Sequence, residues 1–134
     1  MSNKITREEL MLAYECGHKD FHKLDLSGLD LSGLNLSGIG LSEANFIETN
    51  LYGANLYGTN LAGAQLDGVD LSGLNLSETY LFEAKLYHAN LVKANLAGAN
   101  LSKANLSGAI LFGANLVGTD LFEAILKNTI FATN

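Results

Sequence analysis

The sequence predicts an all-β solenoid, a coil of five-residue repeats over residues 21–134, capped by a short amino-terminal α-helix within residues 1–20. Three columns of residues predict it. Leu or Phe stands at every fifth position, from Phe21, Leu26 and Leu31 to Leu126 and Phe131, without a missed slot. From Leu24 onward, the residue two before each centre is Leu, Ile, Val, Ala or Thr. Gly recurs two after the centre, as at Gly28, Gly63 and Gly118, and Glu or Lys fills most of the other slots.

A period of five suits neither regular element. On an α-helix each such step turns about 500°, so the leucines would spiral around the surface instead of lining one stripe. On a plain strand an odd step changes face, and half the leucines would point into water. The pattern closes only if the chain turns within every repeat, returning the centre and the residue two before it to the inside. The glycine column agrees, because tight turns need a position that tolerates positive φ.

Ala54-Asn55-Leu56-Tyr57-Gly58, Ala94-Asn95-Leu96-Ala97-Gly98 and Ala114-Asn115-Leu116-Val117-Gly118 resemble the A(D/N)Lxx unit of the pentapeptide-repeat proteins. The resemblance implies a right-handed quadrilateral β-helix of about six coils, with four repeats per coil and leucines filling the axis. Coils stacked at about 4.8 Å make a rod roughly 27 Å long. Each buried Leu contributes roughly 2 kcal/mol, so the axis alone supports the fold. In that register Asn35, Asn55, Asn75, Asn95 and Asn115 form one outward ladder. Glu83, Lys103 and Glu123 stack with alternating charge, as do Lys23 and Glu43.

Residues 1–20 lack the repeat. A helix is expected from about Arg7 to Glu15, with Thr6 and Glu9 as a capping box, Glu8 and Glu9 at its positive end, and Gly17 as its stop. Leu10, Met11, Ala13, Tyr14 and Cys16 give it apolar surface, and Cys16 reads as a buried structural thiol. A coil ends in unpaired backbone and exposed leucines, so this helix is read as a cover. Bulky Leu24, Leu29, Leu34 and Ile39 in the first coil suit a wide apolar mouth beneath it. Many cyanobacterial members of the family show a similar helix running into a Gly-x-x-Asp-Phe segment, which Gly17-His18-Lys19-Asp20-Phe21 resembles.

Composition narrows function by exclusion. The net charge of -6 and pI near 4.8 argue against direct binding of nucleic acid or anionic membrane, which need basic surface. No apolar run approaches a membrane span and no leader is evident, so the cytoplasm is the expected compartment, in keeping with a single cysteine. His18, Asp20 and His22 have ligand chemistry, yet they read as a polar connector between helix and coil, and His88 reads as solvated. The serines lack a His–Asp partnership, the glycines serve turns instead of a phosphate loop, and a leucine-filled axis leaves no cleft. No catalytic residue, cofactor or metal is assigned.

The expected function is therefore a non-catalytic protein-interaction or scaffold module, because solenoids present long faces whose outward slots vary freely. The alternative is a DNA mimic occupying a DNA-binding enzyme, as the gyrase-protecting branch of the family does. Against it, the acidic residues are spread over all sides, and the helical carboxy-terminal extension of that branch is not found. The candidate interaction patch is apolar and lies in the later outward slots: Tyr80, Phe82, Tyr87, Ile110, Phe112, Phe122, Ile125 and Ile130. Ile110 should touch Ile130, and Val92 should touch Phe112. The carboxy-terminal end is thus read as a homodimer contact or the site of a protein partner.

Overall fold

The computed structural model describes residues 3–132. Its helix, α1 (Arg7–Glu15), begins as expected. Thr6 Oγ1 accepts from the Glu9 N–H at 3.1 Å, and Glu9 Oε1 accepts from the Thr6 N–H at 3.1 Å, which satisfies two of the donors that a helix start leaves open. At the other end Gly17 takes φ 92°, its N–H donates to Tyr14 O at 3.0 Å, and the His18 N–H donates to Ala13 O at 3.0 Å. This crossed pair is the Schellman arrangement, and glycine is what its left-handed position favours.

Each repeat is built on a β-turn that starts at the centre residue. The N–H of the inner residue donates three residues back to that centre, as in Ala64 N–H to Leu61 O (3.0 Å) and Ala99 N–H to Leu96 O (2.9 Å). The third turn residue has positive φ whether or not it is glycine: 72° at Gly28, 57° at Glu83 and 57° at His88. A negative then a positive φ is the type II pattern, which explains the glycine column. Side chains at that position cost of order 1 kcal/mol each relative to glycine.

Parallel bridges join residues twenty apart, as in Asn35–Asn55–Asn75–Asn95–Asn115 and Gly40–Asn60–Tyr80–Asn100–Asp120. Four repeats therefore make one layer of the β-helix solenoid. The four sides are called here after their first centres, Leu26, Leu31, Leu36 and Leu41. With a turn consuming most of each repeat, one residue per side is left to pair, so the layers are joined by isolated bridges instead of extended strands. The Leu26 N–H donates to Asn45 O (2.9 Å), the Gly28 N–H to Ile47 O (3.0 Å), and the Asn45 N–H back to Leu24 O (2.9 Å), a pattern that recurs on all four sides but is interrupted between Asn50 and Asp70.

The axis is dry. Leu26, Leu41, Leu61, Leu76, Leu81 and Leu101 are each 0% exposed, and Ala44, Ala64, Ala84 and Ala104 close the space beside them. Threonines in this inner column are satisfied by turn carbonyls: Thr59 Oγ1 donates to Leu56 O at 2.8 Å and Thr49 Oγ1 to Leu26 O at 2.8 Å. Buried hydroxyls without such partners would cost several kcal/mol, of order 1–3 each.

Several expectations are corrected. Cys16 is exposed; Leu10 is the residue of α1 that is fully buried, with Ala13, Tyr14 and the preceding Ile5 packed beside it. Leu24, Leu29 and Leu34 are only partly buried at the mouth. The asparagine ladder exists as bridges, but each Oδ1 serves its own turn, as in Asn55 Oδ1 accepting from the Tyr57 N–H at 3.0 Å. Among the described residues no ion pair within 4.0 Å joins Glu83, Lys103 and Glu123, or Lys23 and Glu43. Lys103 instead lies over the Phe82 ring, 5.8 Å from its centroid.

The amino-terminal segment meets the first layer through the groups its missing lower neighbour would have used. Asn3 O accepts from the Asp25 N–H at 3.1 Å, Lys4 Nζ donates to Ser27 O at 2.8 Å, and Arg7 Nη1 donates to Asp30 O at 2.8 Å and Ser32 O at 3.2 Å. Lys4 bridges to Asp25 within the described residues. The expected division at residues 20 and 21 also takes in residues 1, 2, 133 and 134, which lie outside the described ones.

Leu76→Ala is expected to cost about 2–5 kcal/mol, since it empties a fully buried centre, whereas Ser77→Ala costs under about 1 kcal/mol. Urea melts of the two variants measure this directly, and equal costs would invalidate the inward and outward columns.

Candidate interaction surface

With the axis closed, chemistry is confined to three outward slots per repeat: the bridge residue before the centre, and the two turn residues after it. At the bridge slot Asn or Asp is a self-capping residue. Its Oδ1 accepts from the N–H two residues on, as in Asn95 Oδ1 from Ala97 (3.1 Å) and Asp70 Oδ1 from Ser72 (3.0 Å). At some of the repeats with Ser two residues on, the hydroxyl adds a second bond: Ser27 Oγ lies 2.5 Å from Asp25 Oδ1, and Ser32 Oγ 2.6 Å from Asp30 Oδ1.

Tyr80, Ile110 and Ile125 occupy this slot without an acceptor. The N–H groups of Phe82, Phe112 and Lys127 accordingly have no hydrogen-bond partner among the described residues. Lys85 also lacks the acceptor, but Asp67 of the layer below reaches up and accepts from the Tyr87 N–H at 2.9 Å. Sequence reasoning missed this substitute, although an Asp directly below a non-capping repeat is its visible sign.

The register divides the expected patch among three sides. Ile110 and Ile130 bridge on the Leu31 side, where Phe112 follows Val92 in the next outward column. Tyr87 and Ile125 lie on the Leu26 side, and Tyr80, Phe82 and Phe122 on the Leu41 side. Phe82 is partly buried, and the other members are exposed, from 36% at Ile110 and Phe112 to 65% at Phe122. Exposed apolar residues outside that set include Tyr52 on the Leu31 side, Tyr57 and Val117 on the Leu36 side, Leu126 and Phe131 at centre positions near the carboxy-terminal end, and Met11 and Leu12 on α1.

The connector carries a pair, not a triad. Asp20 Oδ1 accepts from the His22 N–H at 3.1 Å and lies 2.9 Å from its Nδ1, while the His18 ring tilts toward Phe21 with centroids 6.3 Å apart. Among the described residues no three His, Cys, Asp or Glu side chains converge as metal ligands would. His88 is not alone: its ring meets Tyr87 edge-on at 4.1 Å and lies across Gly108 of the next layer.

Among the depressions that the described residues form, two matter here. One, of about 190 Å³, lies between α1 and the first layer and is lined by Leu10, Met11, Tyr14, Leu34 and Leu36. The other, of about 410 Å³, lies on the Leu41 side around Ala62 and Gly63.

Residues 25–61, 59–96 and 89–128 match the family model of pentapeptide repeats, in eight copies. The chain belongs to the pentapeptide-repeat family. A pentapeptide-repeat protein, Rfr23 from the cyanobacterium Cyanothece 51142, is similar over 90% of this chain and 96% of its own, with 33% identity and a TM-score of 0.60. HetL, a pentapeptide-repeat protein involved in heterocyst differentiation regulation in Nostoc sp. strain PCC 7120, shares the fold over 94% of both chains at 22% identity, with a TM-score of 0.64. A pentapeptide-repeat protein of the Arabidopsis thaliana thylakoid lumen is 36% identical over 74% of this chain and 62% of its own, with a TM-score of 0.53. No curated protein sequence matches this chain. No helix among the described residues of this pentapeptide-repeat protein is long and apolar enough to cross a membrane.

The first-layer carboxylates yield a pH prediction. The Ser27 hydroxyl, then the Ser27 N–H, and more weakly the Lys4 charge hold the Asp25 carboxyl below its ordinary value of 3.8. Ser32 and, more weakly, Arg7 do the same for Asp30. A folded-state value below the unfolded one gives stability that is present above pH 3.8 and lost as pH falls from there through the folded value. Urea midpoints taken down through that window should drop, and the drop should shrink in the Asp25→Asn, Asp30→Asn double variant; an unchanged pH profile would remove these residues from the account.

Proposed function

We propose that this pentapeptide-repeat protein is a non-catalytic interaction or scaffold module whose partner is another protein. The observation that carries the reading is the paired change at Tyr80, Ile110 and Ile125. Replacing the self-capping Asn or Asp adds an apolar side chain and at the same time leaves a backbone N–H free. An apolar group beside an available donor is what a protein surface engages, and the N–H left without a cap forms no bond among the described residues of the monomer.

The finer architecture belongs to this reading: a right-handed quadrilateral β-helix over residues 21–134, capped by residues 1–20. Bridges twenty residues apart support the four-sided section, and the Lys4 and Arg7 bonds to first-layer carbonyls support the cap. The dry axis leaves chemistry to the faces, which supports a non-enzymatic role. Carboxylates fall on every side, with Asp67 on the Leu26 side, Asp70 on Leu31, Glu78 on Leu36 and Asp120 on Leu41, which favours this reading over mimicry of a DNA duplex. The Leu31 side near Ile110, Phe112 and Ile130 is assigned as the homodimer contact or partner site, and the cytoplasm as the compartment.

Two outcomes test it. Ile110→Asn, Phe112→Ser and Ile130→Asn together should abolish concentration-dependent dimers in sedimentation, or release proteins captured from native lysate. Ile110→Asn alone should keep the monomer within about 1 kcal/mol of wild type in urea, because a restored turn bond offsets lost cross-layer contact. A monomeric wild type whose triple variant retains every captured protein would remove the assignment. Deleting residues 1–20 should give oligomers by light scattering, and an unchanged monomer of equal thermal stability would refute the cap.

A further inference from the structure

The depression on the Leu41 side arises where two adjacent outward slots are nearly bare. Going up the side, the first turn slot holds Ser42, Ala62 and Phe82, and the corner slot holds Glu43, Gly63 and Glu83. Ala62 and Gly63 therefore form a low floor between taller layers, with Lys85 closing one end, and enclose about 410 Å³. The Glu43 stem leans upward over this floor: its Cγ would sit 3.2 Å from a Cβ placed on Gly63. That lean carries the carboxylate toward the layer of Glu83. The backbones of these two glutamates lie two layers apart, roughly 9.6 Å at the usual inter-strand spacing.

We infer that this groove receives an arginine side chain projecting from a protein partner. The inference rests on the reading of the chain as an interaction module, and names the chemistry of what it binds. Glu43 rises into the gap from below and Glu83 lines its upper edge, so a planar guanidinium with several donors has a carboxylate available on each side. Phe82 supplies an aromatic wall on which that plane stacks, and Lys103 already holds a cation 5.8 Å from the ring centroid. The Ala62 methyl gives the arginine methylenes an apolar floor. An anion would meet two carboxylates on a chain of net charge -6, and a purely apolar group would desolvate them without pairing them.

Lys85 gives the inference a second sign. It borders the groove, yet among the described residues it forms no ion pair within 4.0 Å with Glu43 or Glu83. It is a tethered cation that repels or displaces an arriving one, so removing its charge should strengthen binding where removing either glutamate weakens it.

The probe is N-acetyl-arginine methylamide, titrated into the full chain while backbone amide NMR shifts are followed. Saturable shifts should be confined to Ser42, Ala62, Gly63, Phe82 and their neighbours. Glu43→Gln and Glu83→Gln should each weaken binding about threefold, and Lys85→Gln should tighten it about twofold. All three side chains are exposed, and unchanged spectra away from the groove establish that the variants fold. N-acetyl-norleucine methylamide should cause no saturable shift. Shifts scattered over the carboxylates of all four sides, indifference to either glutamate, weaker or unchanged binding in Lys85→Gln, or an equal response to N-acetyl-lysine methylamide would each overturn the inference. Because Ile110, Phe112 and Ile130 lie on the Leu31 side, failure of the arginine probe is distinguishable from failure of the interaction reading tested there.

Discussion

The hydrogen bond that closes all but the Phe21 and Leu36 turns among the described residues, from the N–H of the inner residue back to the carbonyl of the centre, is the constraint on which the rest depends. Ala64 to Leu61 is one instance among a run that continues to Thr129 and Leu126. It bends the chain at a corner of the layer within four residues and so returns both inner side chains to the axis. It forces positive φ at the third turn residue, and it leaves a single residue per side free to bridge. The dry leucine column and the isolated bridges are consequences of the same bond. Each turn contributes only about 1 kcal/mol by itself; the repetition makes the fold, because every layer buries the face that the one below cannot bury alone.

That constraint also sets what was legible in the sequence. The inward columns follow from hydrophobicity at a fixed period, and Leu76 or Ala84 could be placed inside without a structure. The capping box at Thr6 and Glu9 is equally local. Four repeats per layer came from the family resemblance, because the period says that the chain turns but not through what angle; the twenty-residue bridges now supply it. Burial on α1 was misjudged at Cys16, which is exposed. A nine-residue helix resting on a coil mouth touches it along little more than Leu10 and its neighbours, so most of its apolar residues stay wet. Contiguity of the outward patch was misjudged for a related reason. Successive repeats lie on different sides, so outward residues share a side only within one repeat or in repeats a multiple of twenty residues away.

The charge ladder failed at the corners, and the reason is steric. Corner side chains leave the backbone in the left-handed region and lean upward across the next layer, where glycine often receives them. Glu78 lies over Gly98, His88 over Gly108, Lys93 over Gly113 and Glu43 over Gly63. A tall residue beneath a bare one is a packing pair, and it helps offset the backbone cost of placing Glu, His or Lys at positive φ. Gly98 and Gly108 are thus held by two demands, since a Cβ there meets the Glu78 carboxylate or the His88 ring as well as the unfavourable φ.

On the Leu41 side that pairing breaks down, because Glu83, Lys103 and Glu123 follow one another with no glycine between them. Lys103 has no bare corner to lie across and turns aside onto Phe82. Below it, Gly63 receives Glu43, but its neighbour Ala62 is also small, so one lean side chain cannot fill the space. Other bare corners lie over a side chain, as Gly98 over Glu78, or over a further glycine, as Gly118 over Gly98; here Ala62 and Gly63 adjoin beneath Phe82 and Glu83, and the groove is what remains. Its walls carry the charge and the ring that ordinary packing would have used within the chain. The surfaces proposed for recognition are thus the places where the regularity of the fold lapses: bridge slots that hold no Asn or Asp, and the groove beside Ala62 and Gly63.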